Sequence, residues 1–268
     1  MSHSKRIESR RWSFIAFILR SLFHEYGLAF LFRVVIFHPL KALTGLGRIL
    51  QMDTGPPSEP TPKEISRFSN ESIHIKKGIV GLGFCLKPID PDCPSGRANH
   101  DCILLEKAKG GLANGDTDFI PEPCSTCLIL DIGIRALSAG WSFYIMTSAA
   151  DILHDLLLPA LRKGSYRQAI LGLCGFSFSP FLLALEICGI SSLMYPFQAG
   201  DCKDYKSWRQ ADIGIKEERT ELDPIQVEKI LLQIDSTRFQ QLLPADPIKI
   251  GHVFSPGEIS FYSKEKLE

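Results

Sequence analysis

The sequence predicts an α/β protein: a parallel, Rossmann-like sheet with a cysteine-lined carboxyl edge, preceded by an N-terminal amphipathic helical segment. Three observations carry that expectation. From residue 124 onward, apolar runs of strand length alternate with helical stretches across short connections, as right-handed βα crossovers require. Gly140, Gly164 and Gly189 close three successive helical stretches, where a left-handed residue ends a helix at little cost. Cysteines recur at expected strand ends and helix starts, the edge of an open α/β sheet on which ligands bind.

Composition sets outer limits. With 45% hydrophobic and 22% charged residues, the 268-residue chain is globular rather than disordered. Its 30 basic and 30 acidic side chains balance, but unevenly: residues 1–51 hold eight Lys or Arg against two Glu, leaving an acidic body. Such a basic head has its own partner. No basic–aromatic pattern points to nucleic acid, and no P-loop, nucleophile elbow or paired-carboxylate motif is present. The apolar run at 12–19 is short and broken by Arg20, unlike an export signal, so the eight cysteines are expected in the reducing cytoplasm.

Taken in order, residues 12–50 mix Phe, Leu and Ile with Arg20, Glu25 and Arg33, too interrupted for a spanning helix. They suit an amphipathic segment on the surface of the inner membrane, or a hairpin packed on the protein itself. The proline-rich stretch 52–63 is the linker between this 1–51 segment and a cysteine-rich domain, 64–268. A strand is expected over 71–80, running into a glycine-rich stretch, 78–83, that only loosely matches a nucleotide fingerprint. Residues 85–102 are irregular, and a Gly/Asn/Asp loop follows at 110–118. Helix 124–139, strand 141–147, a Ser148-capped helix to Arg162 kinked at Pro159, and strand 168–174 come next. Ser179-Pro180 opens a helix to Cys188, strand 190–195 follows, Asp223-Pro224 starts a helix to about residue 243, and strands 248–254 and 258–262 close the chain as a hairpin.

The chemistry lies in the cysteines. Cys85, Cys93 and Cys102 share an irregular loop that a bound metal would order. On the helix expected over 124–139, Cys124 and Cys127 share one stripe with Asp131, Arg135 and Ser138, away from the apolar face. Thiolates at a helix start are stabilised by the dipole and the free N–H groups. Cys174 ends a strand and Cys202 follows one, so these seven are expected to converge, with Cys188 left as packing at the far edge. Four thiolates fit an iron–sulfur cluster or a zinc ion, and the extra thiols a labile ligand or a second site. Ser148, Arg135 and Asp131 are candidates to orient a small ligand. His100-Asp101 could add a ligand or an acid/base pair, although a loop histidine is more often exposed.

Cys85-Leu86 followed by Cys93-Pro94, Cys124-Ser-Thr-Cys-Leu-Ile129, Ala169-Ile-Leu-Gly-Leu-Cys174 and Gly200-Asp-Cys202 together resemble the domain of unknown function 116 family. The resemblance covers less than half of the chain and implies a membrane-associated protein with about seven cysteines. Where the family has a further cysteine before the C-x-x-C pair, this chain has Pro121-Glu-Pro, so one ligand is either missing or replaced by Cys102. The expected protein is thus a metal-binding one with a redox or electron-transfer role at the inner-membrane surface; the alternative is a non-catalytic, zinc-stabilised interaction module.

Overall fold

A computed structural model describes residues 19–20, 25–51, 59–72, 78–109, 120–237 and 252–256. The start of the 12–50 segment, most of the 52–63 linker, the loop at 110–118 and the strand at 258–262 lie outside the described residues. Helix α1 (Glu25–Phe30) runs on as a π-helical turn, Leu31–Ile36, and leads to α2 (Pro39–Gln51) and α3 (Pro62–Ser72). Strand β1 (Gly78–Gly83) is followed by α4 (Ile103–Lys109), a helical turn Glu122–Ser125, α5 (Leu128–Ser138) and β2 (Ser142–Met146). Next is α6, made of Ala149–Ile152, a π-turn Leu153–Leu157 and Leu158–Lys163. Strand β3 (Gln168–Leu173), α7 (Gly175–Cys188), β4 (Ser191–Pro196), α8 (Tyr205–Asp212) and α9 (Pro224–Ser236) complete the chain order.

The four strands form one all-parallel sheet in the order β2-β1-β3-β4. Each strand alternates between two apolar layers. Val80, Leu82, Phe143, Ile145, Ile170 and Leu193 pack with α4, α5 and α9 on one face, whereas Ile79, Tyr144, Met146, Leu171, Leu173 and Met194 pack with α6 and α7 on the other. The chain steps from β1 to β2 in one direction and then returns past β1 to β3. Right-handed crossovers therefore place the connecting helices on opposite faces, as observed. The reversal leaves a crevice between the carboxyl ends of β1 and β3, where doubly wound sheets bind ligands.

Several elements depart from expectation. The strand begins at Gly78, and residues 62–72, spanning the linker's end and the expected strand's start, are the helix α3. Thr61 and Glu64 form a reciprocal cap, with Thr61 N–H donating to Glu64 Oε2 at 2.7 Å and Glu64 N–H to Thr61 Oγ1 at 3.3 Å, and Pro62 takes the first helical position. The helix expected over 124–139 is two pieces: Cys124 belongs to the turn Glu122–Ser125, while Cys127 is extended (φ −84°, ψ 114°) and caps α5. The shared stripe of Cys124 and Cys127 with Asp131 and Arg135 therefore does not form.

Helix α7 starts four residues before Ser179, because the Asp201 carboxylate accepts the Gly175 N–H at 2.9 Å and caps it from a distant loop. Pro180 lies inside the helix. In α6 the chain meets Pro159 through a π-turn, which relieves the missing N–H without a sharp break. Helix α8, capped by Asp204 and Ser207, was not expected. Helix α9 ends at Ser236 rather than near 243. Of the expected terminal hairpin, the described part is Phe254, which bridges antiparallel to Phe143 on the outer edge of β2.

The N-terminal hairpin packs on the body. A Cβ at Gly45 of α2 would meet Ile187 of α7 at 2.7 Å, so the two helices touch backbone to backbone. On the outer side Phe32, Ile36, Phe37, Leu40 and Leu43 are each more than half exposed. Among the described residues no single helix is long and apolar enough to cross a membrane, but Tyr26–Ile36 and Pro39–Gly47, bent by 100°, reach that apolarity as a pair.

Candidate functional site

The seven candidate cysteines gather in two groups rather than around one point. Cys102 precedes α4 and Cys127 caps α5, so both thiols face amides at helix starts. Burial pushes the Cys102 thiol up, against the amides of Leu105 and Leu104; it pushes Cys127 up against those of Leu130 and Ile129. Cys124 is pushed up to about 11, by burial first and then by Cys127, Cys102 and Cys93. These four thiols thus sense one another's charge. Cys102, Cys124 and Cys127 would each be expensive to ionise alone, which is the condition a bound metal reverses.

A buried lysine organises this group. Lys87 is 1% exposed, and its ammonium donates to Gly96 O at 3.0 Å, Asn99 O at 2.9 Å, Asn99 Oδ1 at 2.6 Å and Asp101 O at 2.8 Å. Burial lowers its pKa, while the charges of Cys93, Cys102, Asp101 and Cys127 raise it. The lysine thereby ties down the loop that carries Cys93 and Cys102 and supplies a cation beside their sulfurs. Lys87→Met should leave four acceptors without their donor and cost about 3 kcal/mol or more, read as a lower thermal midpoint.

The second group lies at the crevice between β1 and β3. Cys85 follows β1, Cys174 caps α7 after β3, and Cys202 lies in the loop after β4; all three line one cavity of about 220 Å³. The Asp201 carboxylate fixes this arrangement, accepting from Gly175 N–H at 2.9 Å and Cys202 N–H at 2.9 Å. Gly200 makes the tight approach possible. It has φ +67°, and a Cβ there would lie 2.1 Å from Arg219 O.

Lys216 Nζ donates to Gly200 O at 2.5 Å and lies 4.0 Å from Cys202 Sγ; Ser177 Oγ is 2.8 Å from Cys174 Sγ. Hydrogen bonding with Cys174 holds Cys202 low, and Lys216 adds to it against burial; the same contact holds Cys174 high. Of the pair, Cys202 is thus the thiol more readily ionised and Cys174 the less. Cys85 is pushed up to about 11 by burial. Arg97 links the two groups, donating to Cys85 O at 3.3 Å, to Glu218 O at 2.6 Å and to Lys216 O.

The remaining candidates are engaged elsewhere. Arg135 is paired with Asp235, Nε to Oδ1 at 2.8 Å, and ties α5 to α9; Asp131 is exposed on α5. Ser148 caps α6, accepting the Asp151 N–H at 3.1 Å and donating to Asp151 Oδ2 at 2.7 Å, while Thr147 donates to the same oxygen at 2.7 Å. Burial pushes the Asp151 carboxyl up, but the hydroxyls of Ser148 and Thr147 outweigh it and hold the group below its usual range. A depressed carboxylate stabilises the fold above its unfolded pKa and loses that contribution as pH falls through the folded value. Ser148→Ala should cost about 1 kcal/mol at neutral pH. In urea unfolding, the difference from wild type should shrink below about pH 4.

His100 is not the exposed loop residue expected. Its side chain is 11% exposed, with Nδ1 at 2.8 Å from Ile145 O and Nε2 at 2.9 Å from Thr147 Oγ1. With Asp155 and His252 it forms a group whose ligand atoms lie within 4.8 Å of one another. The two rings, however, are stacked at 4.3 Å and 5°. An ion held by both would lie between parallel ring planes, off both in-plane lone pairs, so this group fits a stack pinning residues 252–256 to the sheet better than a metal centre. The group's sequence signal was only the position of His100 beside Cys102. Lys87, Asp201 and Lys216 gave none, since nothing local distinguishes them from solvated charges.

Set against protein-family models, curated proteins and solved structures, the chain matches none. The class defined by fold and site is an α/β protein with a parallel sheet, two thiol groups and an apolar crevice.

Proposed function

We propose that the protein is an iron–sulfur protein with a redox or electron-transfer role at a membrane surface. The supporting observation is the gathering of Cys93, Cys102 and Cys127 around a caged, buried lysine, with Cys124 beside these thiols. A single zinc ion with bonds of about 2.3 Å needs its sulfurs about 3.8 Å apart. Among the described residues, no three thiols lie within 4.8 Å of one another. The amides of Leu104, Leu105, Ile129 and Leu130, at Cys102 and Cys127, suit the charged sulfurs of an iron–sulfur cluster. When bound, such a cluster supplies one-electron transfer. Lys87 offsets the thiolate charge, and the Cys174–Cys202 pair, with Cys85, forms the adjoining redox thiols, Cys202 being the more readily ionised, beside Lys216.

The sheet is Rossmann-like in this reading, with the cysteines lining its carboxyl edge. The exposed Phe32, Ile36, Phe37, Leu40 and Leu43, close to Arg33 and Lys41, fit a cytoplasmic protein bound peripherally to the inner membrane. The likeness of its cysteine motifs to the domain of unknown function 116 family agrees with both features. Anaerobic purification followed by iron, sulfide and zinc analysis tests the reading. Iron and sulfide with a brown colour support it; a colourless protein with one equivalent of zinc would establish the zinc-stabilised interaction module instead.

A further inference from the structure

The cavity beside Cys174 and Cys202 has two unlike ends. Cys85, Cys174, Ser177, Cys202, Lys216 and Thr220 make one; Phe30, Leu153, Leu157, Phe181, Leu183 and Ala184 are among the apolar residues that make the rest. The polar end holds one lysine, Lys216, near the Asp201 carboxylate. Asp212 accepts the Ala149 N–H at 2.7 Å and pairs with Arg209, and Asp201 is occupied by the amides of Gly175 and Cys202. Lys216, in contrast, donates to a carbonyl and has no ion pair with a carboxylate among the described residues.

One wall is α1. Tyr26, Gly27 and Phe30 line the cavity, while Leu28 and Phe32 of the same helical run are 46% and 53% exposed on its outer side. The helix thus separates an apolar interior from an apolar exterior by its own thickness. A purely structural helix in this position would have one polar face.

We propose that this cavity binds the hydrocarbon chain of a long-chain acyl molecule, head at Lys216 and Cys202, received from a membrane past α1. The chain fits the apolar lining, and the carboxylate or thioester oxygen meets Lys216, which has no ion pair among the described residues. This inference rests on the reading of the N-terminal hairpin as membrane-facing and is independent of the cluster.

The test is a titration of the full-length protein with 11-dansylaminoundecanoic acid in vesicle-free buffer, with laurate and dodecanol as competitors. Saturable binding of one probe per chain, displaced by laurate, is expected. Ala184→Trp, which fills the cavity, should weaken it at least about tenfold with an unchanged circular dichroism spectrum. Should that variant not fold, Lys216→Met keeps the cavity open and should weaken laurate about tenfold while leaving dodecanol unchanged. No saturable binding to the folded wild type, or binding that neither substitution alters, overturns the proposal. Sedimentation of the same preparation with anionic vesicles separates the two readings. Pelleting without probe binding sinks the cavity alone; probe binding without pelleting sinks delivery from the membrane.

Discussion

Replacing Cys102, Cys124 or Cys127 singly by alanine is expected to leave about one-tenth of the wild-type iron and sulfide or less, because each would remove one of the four proposed cluster ligands. Cys93→Ala should act in the same direction. Cys188→Ala, at a thiol buried in the layer of α6 and α7, should leave the metal content unchanged. The informative comparison is with Cys85→Ala, Cys174→Ala and Cys202→Ala. If the thiols form two groups, these three retain iron and sulfide in full while changing the reactivity of the remaining crevice thiols toward alkylating reagents. Iron lost from Cys202→Ala to the same extent as from Cys127→Ala would mean one shared centre, and the division into two groups would fall.

The second large effect concerns the hairpin. Phe37, Leu40 and Leu43 are 72%, 79% and 67% exposed, so charging them touches no core contact. Each apolar side chain of this size contributes about 1.5 kcal/mol or more when buried, so Phe37→Glu with Leu40→Glu and Leu43→Glu should lower partition into anionic vesicles on the order of 10³-fold. The thermal midpoint should not move. Deleting residues 1–51 would also release the protein, but it would uncover Ile187 of α7 as well, so the charge variant is the cleaner measurement. Vesicle binding equal to wild type would mean that this face meets another partner, as a hairpin that merely packs on its own body requires.

Much of the sheet was legible. Strands β2, β3 and β4 and the stops at Gly164 and Gly189 follow from apolar runs and glycine positions, and Gly164 and Gly189 do take positive φ, 61° and 71°. Ser148 was legible as a cap for the same local reason. The misses have different causes. Thr61-Pro-Lys-Glu64 carries a capping signal that its proline-rich surroundings concealed. The early start of α7 had no local signal, since its cap, Asp201, comes from 26 residues away. The break at Thr126 and Cys127 turned a wheel argument into a wrong face, because the extended Cys127 re-aims everything before it.

The sequence by itself determined that this chain alternates strand and helix, that Cys85 and Cys174 come just after strands, and that its N-terminal segment is apolar and basic. Those properties are written in period and position along the chain. Only the tertiary structure decided how the thiols divide. The reversal of direction between β1 and β3 draws Cys85, Cys174 and Cys202 to the crevice, while the loop leaving Cys85 carries Cys93 and Cys102 toward α4 and α5. Lys87 belongs to the same lesson: a lysine is made structural by the carbonyls that fold around it, and Gly96, Asn99 and Asp101 meet its ammonium only once that loop has closed.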